Sequence, residues 1–164
     1  MTCPPPERPY PFDPHGWHRW AEVFPSLFER INARVVVEIG SWLGASAIAT
    51  ARSLRPSGGF LLCVDPWEYD AGFCGGTPDL RERIVDTFNR FCANIHHAGV
   101  QDVVTPWRMR SVDAARHMPF PVDFVYVDGA PEYADARDDL RAWWPLVRAG
   151  GLIAGDDYHP DFPG

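Results

Sequence analysis

Apolar residues in this chain gather into five short dense runs, separated by stretches in which they recur at helical spacing. The runs are 35–39, 60–64, 103–109, 122–127 and 152–154, and the first is interrupted only by Glu38. Continuous Val/Ile-rich runs of this length read as strands buried on both faces, the habit of parallel sheets. Between them, small residues predict a helix over 44–54. Leu80, Ile84, Phe88, Phe91 and Ile95 share one face of a helix over 78–98. Shorter helices are expected over 112–117 and 133–147, the latter closed by Ala149-Gly150-Gly151 as a glycine stop, with Trp143 and Trp144 in the core. Strands alternating with helices imply right-handed βαβ units. The expected fold is therefore α/β, a Rossmann-like parallel sheet of five strands with helices on both faces.

The ends and the connections refine this picture. Residues 1–16 are rich in proline and read as an extended arm. Trp17, Trp20, Ala21, Phe24, Leu27, Phe28 and Ile31 then mark an amphipathic helix broken by Pro25, which either packs plainly or serves as a lid. Residues 1–32 thus form an arm and helix, and 33–164 a single domain. The segment 66–78 has no periodicity and holds Trp67, Tyr69, Gly72, Phe73, Gly75 and Gly76, the profile of a functional loop.

The chemistry gathers at strand ends. Gly40-x-x-x-Gly44 follows the first strand directly, where glycines allow a sharp turn and close approach to a ligand. Glu38 lies inside that strand, where a buried carboxylate needs a partner: a ligand group or a neighbouring turn. Asp65 ends the second strand, the position from which an acid holds a ribose diol, or else caps a turn. Asp128, Asp156 and Asp157 end the fourth and fifth strands. Three carboxylates there make an oxygen-rich cage suited to Mg²⁺ or another hard divalent cation, unless they merely cap loops.

Composition narrows the partners. A net charge of −7 argues against nucleic acid, and no apolar run is long enough to span a membrane. The start, Met1-Thr2-Cys3-Pro4-Pro5-Pro6, has neither a basic segment nor an apolar one as in a secretory signal. Cys3, Cys63, Cys74 and Cys92 contain no CxxC pair and read as free thiols of a cytoplasmic protein. The GxGxxG of nicotinamide enzymes is absent.

Glu38-Ile39-Gly40-x-x-x-Gly44, Val64-Asp65-Pro66-Trp67, Val125-Tyr126-Val127-Asp128-Gly129 and the run from Trp143 to Tyr158 resemble the class I S-adenosylmethionine-dependent methyltransferases. The likeness covers 34–158 and is closest to the branch of small-molecule O-methyltransferases that includes macrolide-sugar enzymes. It implies that S-adenosylmethionine lies with its methionine part over Gly40 and Ser41. Asp65 would hold the ribose, and Arg110 and Ser111 would flank the adenine. Glu38, Gly44, Trp67 and Asp128 complete the implied cofactor set. Trp67, Tyr69 and Phe73 either close over the sulfonium or anchor their loop. Asp128, Asp156 and Asp157 would hold a divalent metal that lowers the pKa of a small-molecule acceptor's hydroxyl.

Two departures stand out. Relatives carry Asp-Gly-Asp-His at the fourth strand end, whereas this chain reads Asp128-Gly129-Ala130-Pro131-Glu132-Tyr133. Glu132 and His159 are the residues left to serve as base, His159 equally readable as a solvated loop residue. His96 and His97 are explained by a helix C-terminus. The antiparallel strand pair that closes the family's sheet is also missing, so the fifth strand would expose an edge. Either the chain is a fragment, or the edge is covered by the arm or by another chain, as in a homo-oligomer. The function implied is methyl transfer to a hydroxyl of a small molecule. The alternative is a hydroxylase-like or inactive member acting as a cofactor-binding or oligomerising module.

Overall fold

The computed structural model describes residues 2–16, 22–69, 78–129 and 132–156. Its elements are α1 (Phe24–Ile31), β1 (Val35–Ile39), α2 (Ala45–Leu54), β2 (Phe60–Asp65), α3 (Pro78–Arg83), α4 (Thr87–His97), β3 (Val104–Arg108), α5 (Ser111–His117), β4 (Val122–Val127), α6 (Tyr133–Trp143) and β5 (Val147–Gly155). The strands form one wholly parallel sheet in the order β3-β2-β1-β4-β5. The chain thus steps outward from β1 to β3, then returns to build β4 and β5 on the other side. This reversal opens a crevice above the carboxyl ends of β1 and β4, where ligands of open α/β sheets bind.

Alternation along each strand divides the core into two layers. Val36, Leu61, Cys63, Val104, Phe124 and Tyr126 face α1, α2 and α4, meeting Phe24, Phe28, Ala47, Ala51, Leu54, Phe91 and Ile95. Val37, Ile39, Leu62, Val64, Val122, Val125 and Val127 face α5 and α6, meeting Ala114, Ala115 and Trp143. Both strand faces are therefore apolar, as the unbroken hydrophobic runs anticipate.

Several boundaries differ from the expected ones. The helix expected over 78–98 is two helices, because Asp86 adopts a left-handed backbone (φ +57°) at the start of α4. The helix expected to reach 147 ends at Trp143. Pro145 sits in the short 3-10 turn that follows, and its missing N–H ends helical bonding. The Gly150-Gly151 pair is not a helix stop but lies inside β5. There β5 bulges out of register between the pairs Val122–Val147 and Phe124–Leu152. A Cβ on Gly151 would stand 2.7 Å from the Asp123 carbonyl oxygen, so only glycine allows this approach. Trp143 is buried in the core as expected, but Trp144 is 65% exposed.

The proline-rich arm is extended yet docked along α4. Cys3 is buried and its N–H donates to the Gln101 carbonyl (3.0 Å). His96 and His97, read from sequence as helix-end residues, grip the arm: their Nε2 atoms donate to the carbonyls of Cys3 (3.1 Å) and Tyr10 (2.9 Å). Trp17, Trp20, Ala21, Gly72, Phe73, Cys74, Gly75 and Gly76 lie outside the described residues, as do Ala130, Pro131, Asp157 and His159. Cys3, Cys63 and Cys92 are free thiols. No helix among the described residues is long and apolar enough to cross a membrane.

Candidate functional site

A cleft of about 750 Å³ opens over the carboxyl ends of the strands. Gly40, Ser41, Asp65, Arg110, Ser111, Asp128, Glu132 and Asp156 all line it, so most of the sequence-derived candidates meet in one place. Their assembly follows from strand order: the turn after β1 lies centrally, with the ends of β2 and β4 on either side and those of β3 and β5 beyond.

The turn 40–44 is the floor. Gly40 has φ +85°, and a Cβ there would lie 2.0 Å from the Asp128 carbonyl oxygen. Only glycine lets β1 and β4 close in at this level. Gly44 is the left-handed residue opening α2, and it packs toward Phe91 and Ile95 and does not line the cleft. Trp42 is also left-handed (φ +46°), a conformation a bulky residue adopts only where its surroundings enforce it.

Asp65 does the enforcing. Its Oδ2 accepts from the Trp42 N–H (2.9 Å) and from the Tyr69 hydroxyl (2.6 Å), and its Oδ1 from the Trp67 N–H (2.6 Å). The carboxylate is only 1% exposed, and burial pushes its pKa up against these hydrogen bonds. Asp65 therefore joins the turn after β1 to the loop after β2. Burial and then the Asp65 charge push the Tyr69 hydroxyl well up. Trp67 points away from the cleft into the core, packing on Phe88 and Phe91, with its indole N–H donated to the Trp42 carbonyl (2.8 Å). Its ring is therefore a strut beneath the floor and not part of the cleft wall. Tyr69 instead lines the cleft and stacks edge-on against Trp42 with ring centroids 4.5 Å apart.

Glu38 lies below the floor, 1% exposed and not in contact with the cleft space. Its Oε2 accepts from the Ser41 hydroxyl (2.8 Å) and from the Cys63 thiol (3.8 Å), while Oε1 has no hydrogen-bond partner among the described residues. Burial raises its pKa to about 6, against the pull of the Ser46 and Ser41 hydroxyls. The same burial, with Glu38 beside it, raises the Cys63 thiol well above its usual range.

The far wall is acidic. Asp128 and Asp156 end neighbouring strands, their N–H groups still in the ladder to the Ile39 (2.9 Å) and Val127 (3.0 Å) carbonyls. Tyr126 donates its hydroxyl to Asp156 Oδ2 (3.0 Å), and burial followed by the Asp128 and Asp156 charges pushes that hydroxyl well up. Glu132 stands at the N-cap position of α6 without a side-chain capping hydrogen bond, and Asp135, Asp138 and Asp139 continue the wall along that helix. Burial raises Asp139. Among the described residues lining the cleft, Arg110 is the only Arg or Lys, at the start of α5 beyond β3. Among the described residues, no group of three His, Cys, Asp or Glu is arranged to hold a metal, and Asp157, the third expected ligand, is not among them. Sequence reasoning missed His15 and Gly16, which also line the cleft. They come from the arm, and no periodicity or motif marks them.

Residues 37–158 match the model of the methyltransferase domain family, and the chain belongs to that family. Among similar solved structures is the O-methyltransferase TomG of Streptomyces achromogenes, in complex with S-adenosylmethionine. It shares 23% identity at a TM-score of 0.61, over 92% of this chain and 65% of that one. The O-methyltransferase of Bacillus cereus, with S-adenosylhomocysteine, shares 23% at 0.63 over 87% and 57%. The methyltransferase PaMTH1 of Podospora anserina, also with S-adenosylhomocysteine, shares 17% at 0.61 over 88% and 54%. These likenesses establish the fold, a class I methyltransferase fold as the sequence resemblance implied. The chain spans less than two thirds of the length of each.

Proposed function

We propose that this chain binds S-adenosylmethionine and transfers its methyl group to a hydroxyl of a small molecule. The observation that carries the proposal is the convergence of Gly40, Ser41, Asp65, Arg110, Ser111 and Asp128 on one cleft. That cleft lies at the reversal point of the strand order in a chain of the methyltransferase domain family. The acidic lining suits a cofactor whose sulfonium and ammonium outweigh its carboxylate. In this reading Gly40 lets the backbone approach the methionine part, Asp65 accepts from the ribose, and Arg110 and Ser111 border the adenine.

Methyl transfer is an in-line displacement, so holding the acceptor oxygen against the methyl carbon supplies much of the rate. Asp128, Glu132 and Asp156 stand on the wall where that oxygen would lie. In this reading Glu132, which lines the cleft, takes the hydroxyl proton, with His159 as the other candidate. The donor set of Asp128 and Asp156, with Asp157 next in sequence, is all carboxylate oxygen and fits a hard divalent cation such as Mg²⁺. Such a cation, when bound, would lower the pKa of the acceptor hydroxyl.

Calorimetry with S-adenosylhomocysteine tests the cofactor half, and methyl transfer to catechol and sugar-diol acceptors, with and without Mg²⁺, tests the rest. Micromolar binding and Mg²⁺-dependent transfer are expected. Binding without transfer to any acceptor would leave a cofactor-binding or oligomerising module, and no binding would overturn the whole reading. The edge of β5, where Leu152 is exposed, is the place at which a second copy would add its strand.

A further inference from the structure

Asn94 of α4 is buried, and its side-chain amide is committed to two distant parts of the chain. Its Oδ1 accepts from the Asp13 N–H (2.8 Å), while its Nδ2 donates to the Asp13 carbonyl (3.0 Å) and to the Leu43 carbonyl (2.9 Å). Asp13 belongs to the arm, and Leu43 to the turn after β1. The arm is held along α3 and α4 by further bonds on either side of this point. Arg83 pairs with the Asp13 carboxylate (2.8 Å), Asn89 accepts from the Glu7 N–H (3.0 Å), and Asp86 accepts from the Tyr10 hydroxyl. Past Asp13 the arm reaches the cleft, where a Cβ on Gly16 would lie 2.9 Å from Ala45 Cβ at the start of α2.

The place of Leu43 in the turn makes this contact matter to the cleft. Trp42 before it and Ala45 after it both line the cleft, whereas the Leu43 carbonyl is turned to α4. The left-handed Trp42 holds its conformation only where several contacts over-determine it. Asp65 fixes its N–H from the β2 side, and Asn94 fixes the next carbonyl from the α4 side. Both amide hydrogens of Asn94 are satisfied only while the arm is docked and the turn is in place. When either partner leaves, a buried donor loses its acceptor, so each contact favours the other. Asn94 itself does not line the cleft, and neither do His96 and His97, which grip the arm elsewhere.

We infer that Asn94 is a positioning residue for the cofactor turn, coupling the arm to the cleft so that arm docking and cofactor binding strengthen each other. The inference rests on the cofactor reading above. Calorimetry with S-adenosylhomocysteine and amide exchange of the arm test it, on the wild type, Asn94→Ala, His96→Ala/His97→Ala and Asp123→Ala. Coupling of ordinary size predicts roughly tenfold weaker binding to Asn94→Ala. The double histidine variant loosens the arm at Cys3 and Tyr10 and should lose affinity in the same direction. Asp123→Ala is destabilised at the opposite end of the sheet and should bind as the wild type does. Because coupling is reciprocal, the ligand should slow exchange of the Cys3 and Glu7 N–H groups roughly tenfold in the wild type, and not in Asn94→Ala. An Asn94→Ala affinity no lower than that of Asp123→Ala would overturn the inference. So would equal ligand protection of the arm in wild type and Asn94→Ala, since the ligand alone would then hold the arm. If Asn94→Ala does not fold, unchanged affinity of the double variant overturns it. If the wild type does not bind S-adenosylhomocysteine, the cofactor reading itself fails and the inference goes with it.

Discussion

Glu38→Gln isolates one buried charge. The side chain is 1% exposed within the parallel sheet, between the Cys63 thiol and the Ser41 hydroxyl. Burial raises its pKa from 4.5 to about 6. A folded-state pKa above the unfolded one means that the folded protein holds this proton more tightly. The stability so contributed is complete below the unfolded value of 4.5 and is lost as pH rises through about 6. A rise of this size corresponds to about 2 kcal/mol. Glutamine has nearly the same shape and no charge to desolvate. Urea denaturation of both proteins should therefore show wild type and variant differing little near about pH 4, and the variant gaining about 2 kcal/mol on the wild type by about pH 8. The quantity to follow is the difference between the two proteins, because other titrating groups cancel in it. A difference that stays constant across this range would refute the reasoning, and one of opposite slope would mean that the ionised carboxylate is the form the fold prefers.

Gly40→Ala places a Cβ against the Asp128 backbone at a left-handed φ, so it should cost several kcal/mol in urea denaturation and abolish cofactor binding. An alanine melting like the wild type would show that the β1–β4 approach is not rigid. Asp123→Ala removes the acceptor of the Arg34 and Val35 N–H groups (2.7 Å each) and the partner of Arg148, and should destabilise by about 3 kcal/mol. Asp123 is held below its usual pKa by the Arg148 guanidinium and these two N–H groups, which outweigh its burial. Its share of stability is present above the ordinary carboxylate value and lost in acid as pH falls through the depressed one, so the cost of the variant should shrink there. Tyr69→Phe removes one donor from Asp65. If the ribose must displace that hydroxyl, S-adenosylhomocysteine should bind up to about tenfold tighter in calorimetry, and weaker binding would show that Tyr69 helps to hold the ligand.

What the sequence made legible was whatever depends on residue type at a fixed place along the chain. Five apolar runs became five parallel strands, and the acids after them fell on one rim, because strand ends must share an edge in a parallel sheet. The helix boundaries were less legible. Asp86 breaks one helix by adopting a left-handed backbone that its residue type does not require, and Gly150-Gly151 serve a bulge instead of a stop. The arm was legible as proline-rich but not as docked, since its contacts with Asn94, His96 and His97 are made across more than eighty residues of chain. Asp65 shows the same limit at the site itself. Its position predicted a carboxylate at the cleft, and there it is. Which donors already occupy it depends on Trp42, Trp67 and Tyr69 folding back from two different loops. A carboxylate has about four acceptor sites. Because three of them are taken by these loops, a ribose diol can engage Asp65 with both hydroxyls only by displacing one of the three donors. Tyr69 is the one of these three that donates from a side chain, the other two being the Trp42 and Trp67 backbone N–H groups. In the proposed cofactor reading, ribose binding and the position of the loop after β2 are coupled through this one carboxylate.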